Sequence, residues 1–212
     1  MKSKSYPASF DIDYPKEQSR LTTFFRIFLT IPILVILTLL TMSSFESLAS
    51  LFNDKSEFED EGGIIVGLFA VTALMILFRQ RYPRWWFDFN LELQRFSARV
   101  AAYLFLLTDK YPSTEDKQSV RLDLVYPNVK KDLNRWLPLV KWLLALPHYV
   151  VLMVLAIAAI LATVIAWFAI LFTGNYPKNL FDFVVGVGRW GLRVQAYALL
   201  LVTDKYPPFS LK

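Results

Sequence analysis

A chain of 212 residues that is 55% apolar and 16% aromatic, with a mean hydropathy of +0.39, is too greasy for an ordinary soluble domain of its length. It contains no cysteine, which excludes disulfides, thiolate-bound metals and cysteine nucleophiles. Its net charge of +5 favours an anionic partner; with no helix-turn-helix, zinc or ribonucleoprotein signature, that partner is expected to be membrane lipid and not nucleic acid.

In chain order, the mostly polar stretch before Arg20 has no short apolar core ahead of a small-residue cleavage site, so it does not read as a cleaved signal peptide. Within it, Phe10 to Tyr14 nearly alternates in polarity and predicts a short strand. A charge-free run from Ile27 to Met42 follows, then the acidic segment Ser43 to Gly63, with a local charge of −5, then a second charge-free run from Ile64 to Phe78. Basic residues beside apolar runs favour the cytoplasmic side. Arg20, Arg26, Arg79, Arg81, Arg84, Lys130, Lys131, Arg135, Lys141, Lys178 and Lys205 are therefore expected inside, and residues 43–63 outside. After Tyr82-Pro83, the side chains Asp88, Glu92, Arg95 and Arg99 recur at steps of four, three and four, which places them on one face of a mostly apolar helix. That helix should end before Thr108-Asp109-Lys110-Tyr111-Pro112, since a residue before proline is pushed out of the helical region.

The pattern then returns. Arg81-Tyr82-Pro83 and Phe87-Asp88-Phe89 match Asn175-Tyr176-Pro177 and Phe181-Asp182-Phe183 at a shift of 94, as Arg95, Arg99 and Tyr103 match Arg189, Arg193 and Tyr197. Thr108 to Pro112 matches Thr203 to Pro207 at 95, and Arg20, Arg26 and Pro32 align with Arg135, Lys141 and Pro147 at 115. Phe10 to Pro15 resembles Leu122 to Pro127 at 112, so the two short strands are expected to pair with each other on the cytoplasmic side. The change in shift makes residues 43–63 an insertion in the first copy. The sequence thus predicts an all-α integral membrane protein of two tandem pseudo-symmetric repeats, 8–112 (with the acidic insertion 43–63) and 120–207, each a hydrophobic helical hairpin followed by an amphipathic interfacial helix. In the second copy the 31-residue apolar run from Trp142 to Phe172 reads as a hairpin turning near Ala162 to Ala166. One long tilted helix is the competing reading, because no Gly or Pro marks a turn there.

No catalytic constellation emerges, and neither an enzyme activity nor a cofactor nor a metal site is expected. His148 is the sole histidine, and with no partner to form a site it reads as structural or interfacial. The seven Tyr-Pro pairs read mainly as boundary punctuation at headgroup level. The pairs Arg95 with Arg99 and Arg189 with Arg193 sit one helical turn apart, a spacing that suits either one lipid phosphate or ion pairs with carboxylates such as Asp88, Glu92 and Asp182. Arg95, Arg99, Arg189, Arg193, Asp88 and Asp182 are therefore the candidate contacts for a lipid headgroup or a partner. Asp109 and Asp204 lie at helix carboxyl ends, where the dipole disfavours them, so a basic group should sit near each, with arginines of the other copy the first expectation. Gly186, Gly188 and Gly191 replace larger residues of copy one and predict close approach of a partner or a second copy.

The segments Tyr-Pro-x-x-x-Phe-Asp-Phe, Arg-x-x-x-Arg-x-x-x-Tyr and Thr-Asp-Lys-Tyr-Pro together resemble a bacterial family of uncharacterised multi-pass membrane proteins that carry this unit once or in tandem. The resemblance implies a place in the bacterial inner membrane, and the charge pattern puts both termini on the cytoplasmic side. It implies no mechanism. The expected function is that of a non-enzymatic accessory or scaffold subunit of a larger membrane complex, with a membrane-protein partner or homo-oligomer. A lipid-interacting, bilayer-shaping protein that holds anionic headgroups through its arginine pairs is the alternative, and a small transporter the third reading. Deletion of residues 43–63 is expected to leave a folded protein, because the second copy manages without them; loss of monodisperse protein in detergent would contradict the insertion.

Overall fold

The computed structural model describes residues 6–41, 64–113 and 118–212, so the acidic segment 43–63 lies outside the described residues. The fold is mostly helical with one two-stranded sheet. Strand β1 (Ala8–Ile12) pairs antiparallel with β2 (Val120–Leu124), with Phe10 opposite Leu122. That register is the one the sequence match demands: Phe10 and Leu122 are equivalent residues and face each other, so Ala8 meets Leu124 as Ile12 meets Val120. One face of the ribbon buries Ala8, Ile12, Val120, Leu122 and Leu124; the other exposes Ser9, Asp11, Arg121 and Asp123, the alternation expected of a half-buried pair.

Beneath the sheet run two long helices, α3 (Arg84–Leu104) and, later in the chain, α7 (Lys178–Ala198), of 21 residues each. Pro83 and Pro177 occupy their N-cap positions, where the missing N–H costs nothing. Just past each helix a leucine, Leu106 (φ 61°) or Leu201 (φ 56°), takes the left-handed conformation usually left to glycine. Strand β2 packs on α3 and β1 on α7. At 100° per residue the α7 side chains Gly188, Arg189 and Leu192 face the sheet, whereas Trp190, Val194 and Tyr197 point the opposite way.

The remaining helices are apolar: α1 (Arg20–Thr41), α2 (Ile64–Leu74, continued by a π-helical turn Met75–Arg79), and, after a single turn α4 (Val129–Asp132), the short α5 (Pro138–Leu144) and the long α6 (Leu146–Thr173). Here the hairpin expected in the second copy is corrected. In the second copy α6 runs unbroken for 28 residues, about 42 Å at roughly 1.5 Å per residue. Ala162 and Ala166, where a turn was expected, instead form with Ala159 and Ile170 a buried stripe against Phe181, Val184 and Val185 of α7. Small side chains at steps of three and four let two helices approach closely, and nothing in that stretch breaks the backbone ladder. In the first copy α1 begins beside the C-terminal end of α3, where Arg26 bonds to Tyr103 and Thr108 carbonyls, and passes Phe96 and Val100 through Ile33. Helix α2 lies at the N-terminal end of α3, where Trp86 Nε1 donates to Thr72 Oγ1 at 2.8 Å. The two arms thus meet α3 at opposite ends, and the segment that joins them lies outside the described residues.

The Tyr-Pro pairs stitch one copy to the other. The Tyr14 hydroxyl donates to the Tyr176 carbonyl and the Tyr126 hydroxyl to the Tyr82 carbonyl, equivalent bonds in opposite directions. Tyr14 meets the edge of Phe181 at 5.0 Å and Tyr126 that of Phe87 at 5.1 Å. Burial pushes the Tyr176 phenol up to about 12 and raises Tyr82 as well, so both remain neutral at physiological pH.

The glycines of α7 serve the same layering, within this chain. A Cβ on Gly188 would lie 2.9 Å from Phe10 Cε1, and one on Gly186 2.9 Å from the Leu211 carbonyl oxygen of the C-terminal tail. At the equivalent contact the smaller Leu122 of copy two stands for Phe10, and Gln94 of copy one for Gly188. Gly188→Ala gains about 1 kcal/mol of helix propensity but overpacks the ring, at about 1–3 kcal/mol. The expected result is net destabilisation in the native background and stabilisation once Phe10→Leu is present, read from thermal unfolding of the four proteins of the cycle. Equal effects in the two backgrounds would refute the close approach.

Candidate functional site

The four arginines singled out by the sequence turn toward the protein's own carbonyls. Arg95 Nε donates to the Leu122 carbonyl at 2.9 Å and its other nitrogens reach Glu92, at 2.6 Å, and Asp123. Arg189 Nε donates to the Phe10 carbonyl at 3.0 Å, with Leu211 and Asp11 as further partners. Each of this pair therefore rivets a helix of one copy to the strand of the other. Arg99 donates to the Ser113 carbonyl, and Arg193 to the carbonyls of Ser210 and Lys212. These two hold the segments that follow each Thr-Asp-Lys-Tyr-Pro. Asp88 and Asp182 stand apart from the arginine pairs: they are exposed and bonded to Arg84 at 3.2 Å and Lys178 at 3.1 Å, each one helical turn back. Arg84 and Lys178 in turn lie over the rings of Tyr126 and Tyr14, at 4.8 Å and 5.3 Å.

The strongest electrostatic centres are two that the sequence only half disclosed. Arg26, 2% exposed, pairs with Asp109, donates to the carbonyls of Tyr103 and Thr108 at 3.1 and 3.0 Å, and lies 4.6 Å over the Tyr103 ring. Lys141, fully buried, pairs with Asp204 at 2.7 Å, donates to the Thr203 carbonyl at 2.8 Å, and lies 5.2 Å from the Tyr197 ring. All partners are equivalent across the repeat. Burial lowers the Lys141 ammonium and the Asp204 carboxylate raises it in part. The basic neighbour expected for each aspartate is present, but it comes from the same copy and not from arginines of the other. The carboxyl end of a helix gathers unpaired carbonyls and a partial negative charge, so a cation on the preceding apolar helix answers both the dipole and the aspartate. The alignment of Arg26 with Lys141, one basic residue in an otherwise apolar stretch of each copy, was the signal for it.

His148 is also fully buried. Its Nδ1 accepts from Trp190 Nε1 at 3.1 Å, and its ring stacks on Phe209 at 4.0 Å. In copy one the equivalents are Ile33 and Phe96, which pack together without a hydrogen bond. The histidine therefore clamps the C-terminal tail. Among the described residues no three His, Asp or Glu side chains gather as a metal site would require.

Among the described residues, large apolar side chains make up much of the exposed surface. Two helices, Arg20–Leu37 of α1 and Leu146–Thr173, are long and apolar enough to cross a membrane, and only 22% and 17% of these stretches is buried within the protein. The class defined so far is a mostly helical protein with features of membrane association. Residues 136–210 match the model of a domain of unknown function, DUF4389. The matched stretch takes in α5, α6, α7 and the second Thr-Asp-Lys-Tyr-Pro. No curated protein and no solved structure matches the chain.

Removing one member of a buried ion pair leaves the other charge uncompensated, at about 3–5 kcal/mol. Asp204→Ala is expected to lower stability by that order, and Lys141→Met with Asp204→Leu to recover most of it, both followed by thermal unfolding in detergent. A double variant as unstable as the single one would show that the site is not governed by charge burial.

Proposed function

We propose that this chain is a non-enzymatic membrane protein that acts through contact with lipid, setting a broad apolar layer into the bilayer and shaping it. The observation that carries this reading is the exposed face of α6, where large apolar side chains from Val150 to Phe172 continue for about 33 Å without a charge. Helix α1 adds Phe24, Phe28, Ile31 and Val35. A soluble monomer rarely leaves so large an apolar surface uncovered, and hydrocarbon covers it without a dedicated partner. Bacterial inner membrane is the proposed location, on the family resemblance and the basic flanks.

The role of the arginine pairs in this proposal changes with the geometry. Because Arg95, Arg99, Arg189 and Arg193 already serve backbone carbonyls, headgroup contact falls to exposed cations at the rim, among them Arg20, Arg79 and Arg81. A second reading, the accessory subunit of a membrane complex, is favoured by the strongly exposed indoles of Trp85 and Trp136, since tryptophan anchors many protein interfaces.

Purification from native membranes in mild detergent, followed by mass spectrometry of everything retained, separates the two. Defined phospholipids on an otherwise solitary protein are expected. A stoichiometric protein companion would transfer the function to the complex it serves.

A further inference from the structure

Three observations bear on how the apolar layer meets a bilayer. The first is direction. On α6, Val150, Val154, Ile157, Leu161, Ile165 and Phe168 occupy the side opposite the alanine stripe, and that stripe shares one buried cluster with Ile12 and Val120 from the apolar face of the sheet. The apolar face of α6 and the charged face of the sheet therefore both look away from a shared core.

The second is charge. The Gly174 carbonyl at the C-terminal end of α6 accepts from the Gln18 backbone, which brings Arg20 alongside, and Lys178 opens α7 there. At the other end, Arg135 donates to the carbonyls of Leu77 and Phe78, which brings Arg79 and Arg81 to the start of α5 and α6. Both ends of the apolar layer are basic. A crossing helix would place one of these clusters on each side of the membrane, against the preference of basic flanks for a single side.

The third is level. Phe10, at the centre of the sheet, touches Gly188 near the middle of α7, and both line one cavity with Ala156 and Ala159 from the middle of α6. If α6 crossed the bilayer, Asp11, Arg121, Asp123 and Arg189 would all sit near the depth of the hydrocarbon centre, where charged groups are disfavoured.

We infer that the protein lies flat in one leaflet: α1, α2 and α6 are embedded lengthwise, the basic ends rest in the headgroups of anionic phospholipid, and the β1–β2 sheet faces water. A layer one helix thick, about 10 Å, fits within a leaflet of about 15 Å, half of the hydrocarbon core, and in-plane helices with a basic polar side bind membranes in this way. The inference rests on the lipid-contact reading and replaces crossing helices with embedded ones.

The cysteine-free chain allows a direct test. Single cysteines replace Ser9 in the sheet, Asn134 at one end of the layer and Asn175 at the other, all exposed, in the full-length protein. Sealed right-side-out and inverted membrane vesicles are treated with a membrane-impermeant maleimide. All three positions are expected to label in the same vesicle type, at least tenfold over the other. Labelling of Asn134→Cys and Asn175→Cys in opposite types would overturn the flat arrangement while leaving lipid contact intact; release of the protein from membranes by alkaline carbonate would instead overturn the lipid reading. Nitroxides on Val150→Cys, Leu161→Cys and Phe172→Cys, spaced along the α6 face, provide a second measurement. Equal immersion depths are expected, and a maximum at Leu161 with both ends near water would refute the proposal.

Discussion

Two five-residue strands that cannot satisfy themselves hold this molecule in register. Each of β1 and β2 offers its backbone N–H and C=O groups to one neighbour, and that neighbour is the equivalent strand of the other copy. Once Phe10 lies opposite Leu122, the relation of the halves is set. Arg95 and Arg189 then reach across to equivalent carbonyls, and Tyr14 and Tyr126 donate to equivalent tyrosine backbones. The apolar helices of the two copies are thereby placed antiparallel beneath the same platform, with Trp167 of α6 donating to the Thr23 carbonyl at the start of α1. Slippage of the ladder by one residue would turn Ala8 and Ile12 to water and Asp11 toward α7, which side-chain alternation makes prohibitive.

The buried cations play the complementary part inside each copy. Arg26 and Lys141 fasten the entry of each apolar segment to the exit of each amphipathic helix, so every copy is a closed circuit of about the length of α3 or α7. Both sites use an aspartate, a tyrosine ring and backbone carbonyls, yet one cation is a guanidinium and the other an ammonium. The guanidinium, with more donors in a fixed fork, takes two carbonyls where the ammonium takes one.

Much of this was legible in the residues. The matched strands, the amphipathic stripes and the proline-marked ends follow from short-range patterns, and the need for a cation near Asp109 and Asp204 follows from helix electrostatics. The second apolar segment is ambiguous in sequence because composition does not distinguish a folded-back pair from a straight helix. Only the facing surface of α7, with Phe181, Val184 and Val185, tells what Ala159, Ala162 and Ala166 are for. The arginines were legible only in part. Their spacing showed that Arg95 and Arg99 share a helix face, but not that a strand 27 residues downstream would present its carbonyl there. His148 drew attention by its rarity, and its bond to Trp190 is tertiary, visible in sequence only as a paired change of Ile33 with Phe96 to His148 with Trp190.

The reciprocal stitching has a consequence for any polypeptide that carries a single unit of this kind. Such a chain would own one strand with an open edge, one arginine aimed at a carbonyl it lacks, and one tyrosine hydroxyl with no backbone to meet. Because the Phe10–Leu122 pair sits where a residue faces its own equivalent, a second identical chain would fill all three vacancies by a half-turn. The linker between the copies in this protein therefore does the work that concentration would do for a homodimer: it holds the second half permanently within reach, and frees each half to drift in sequence, as Gly188 and Gln94 have done.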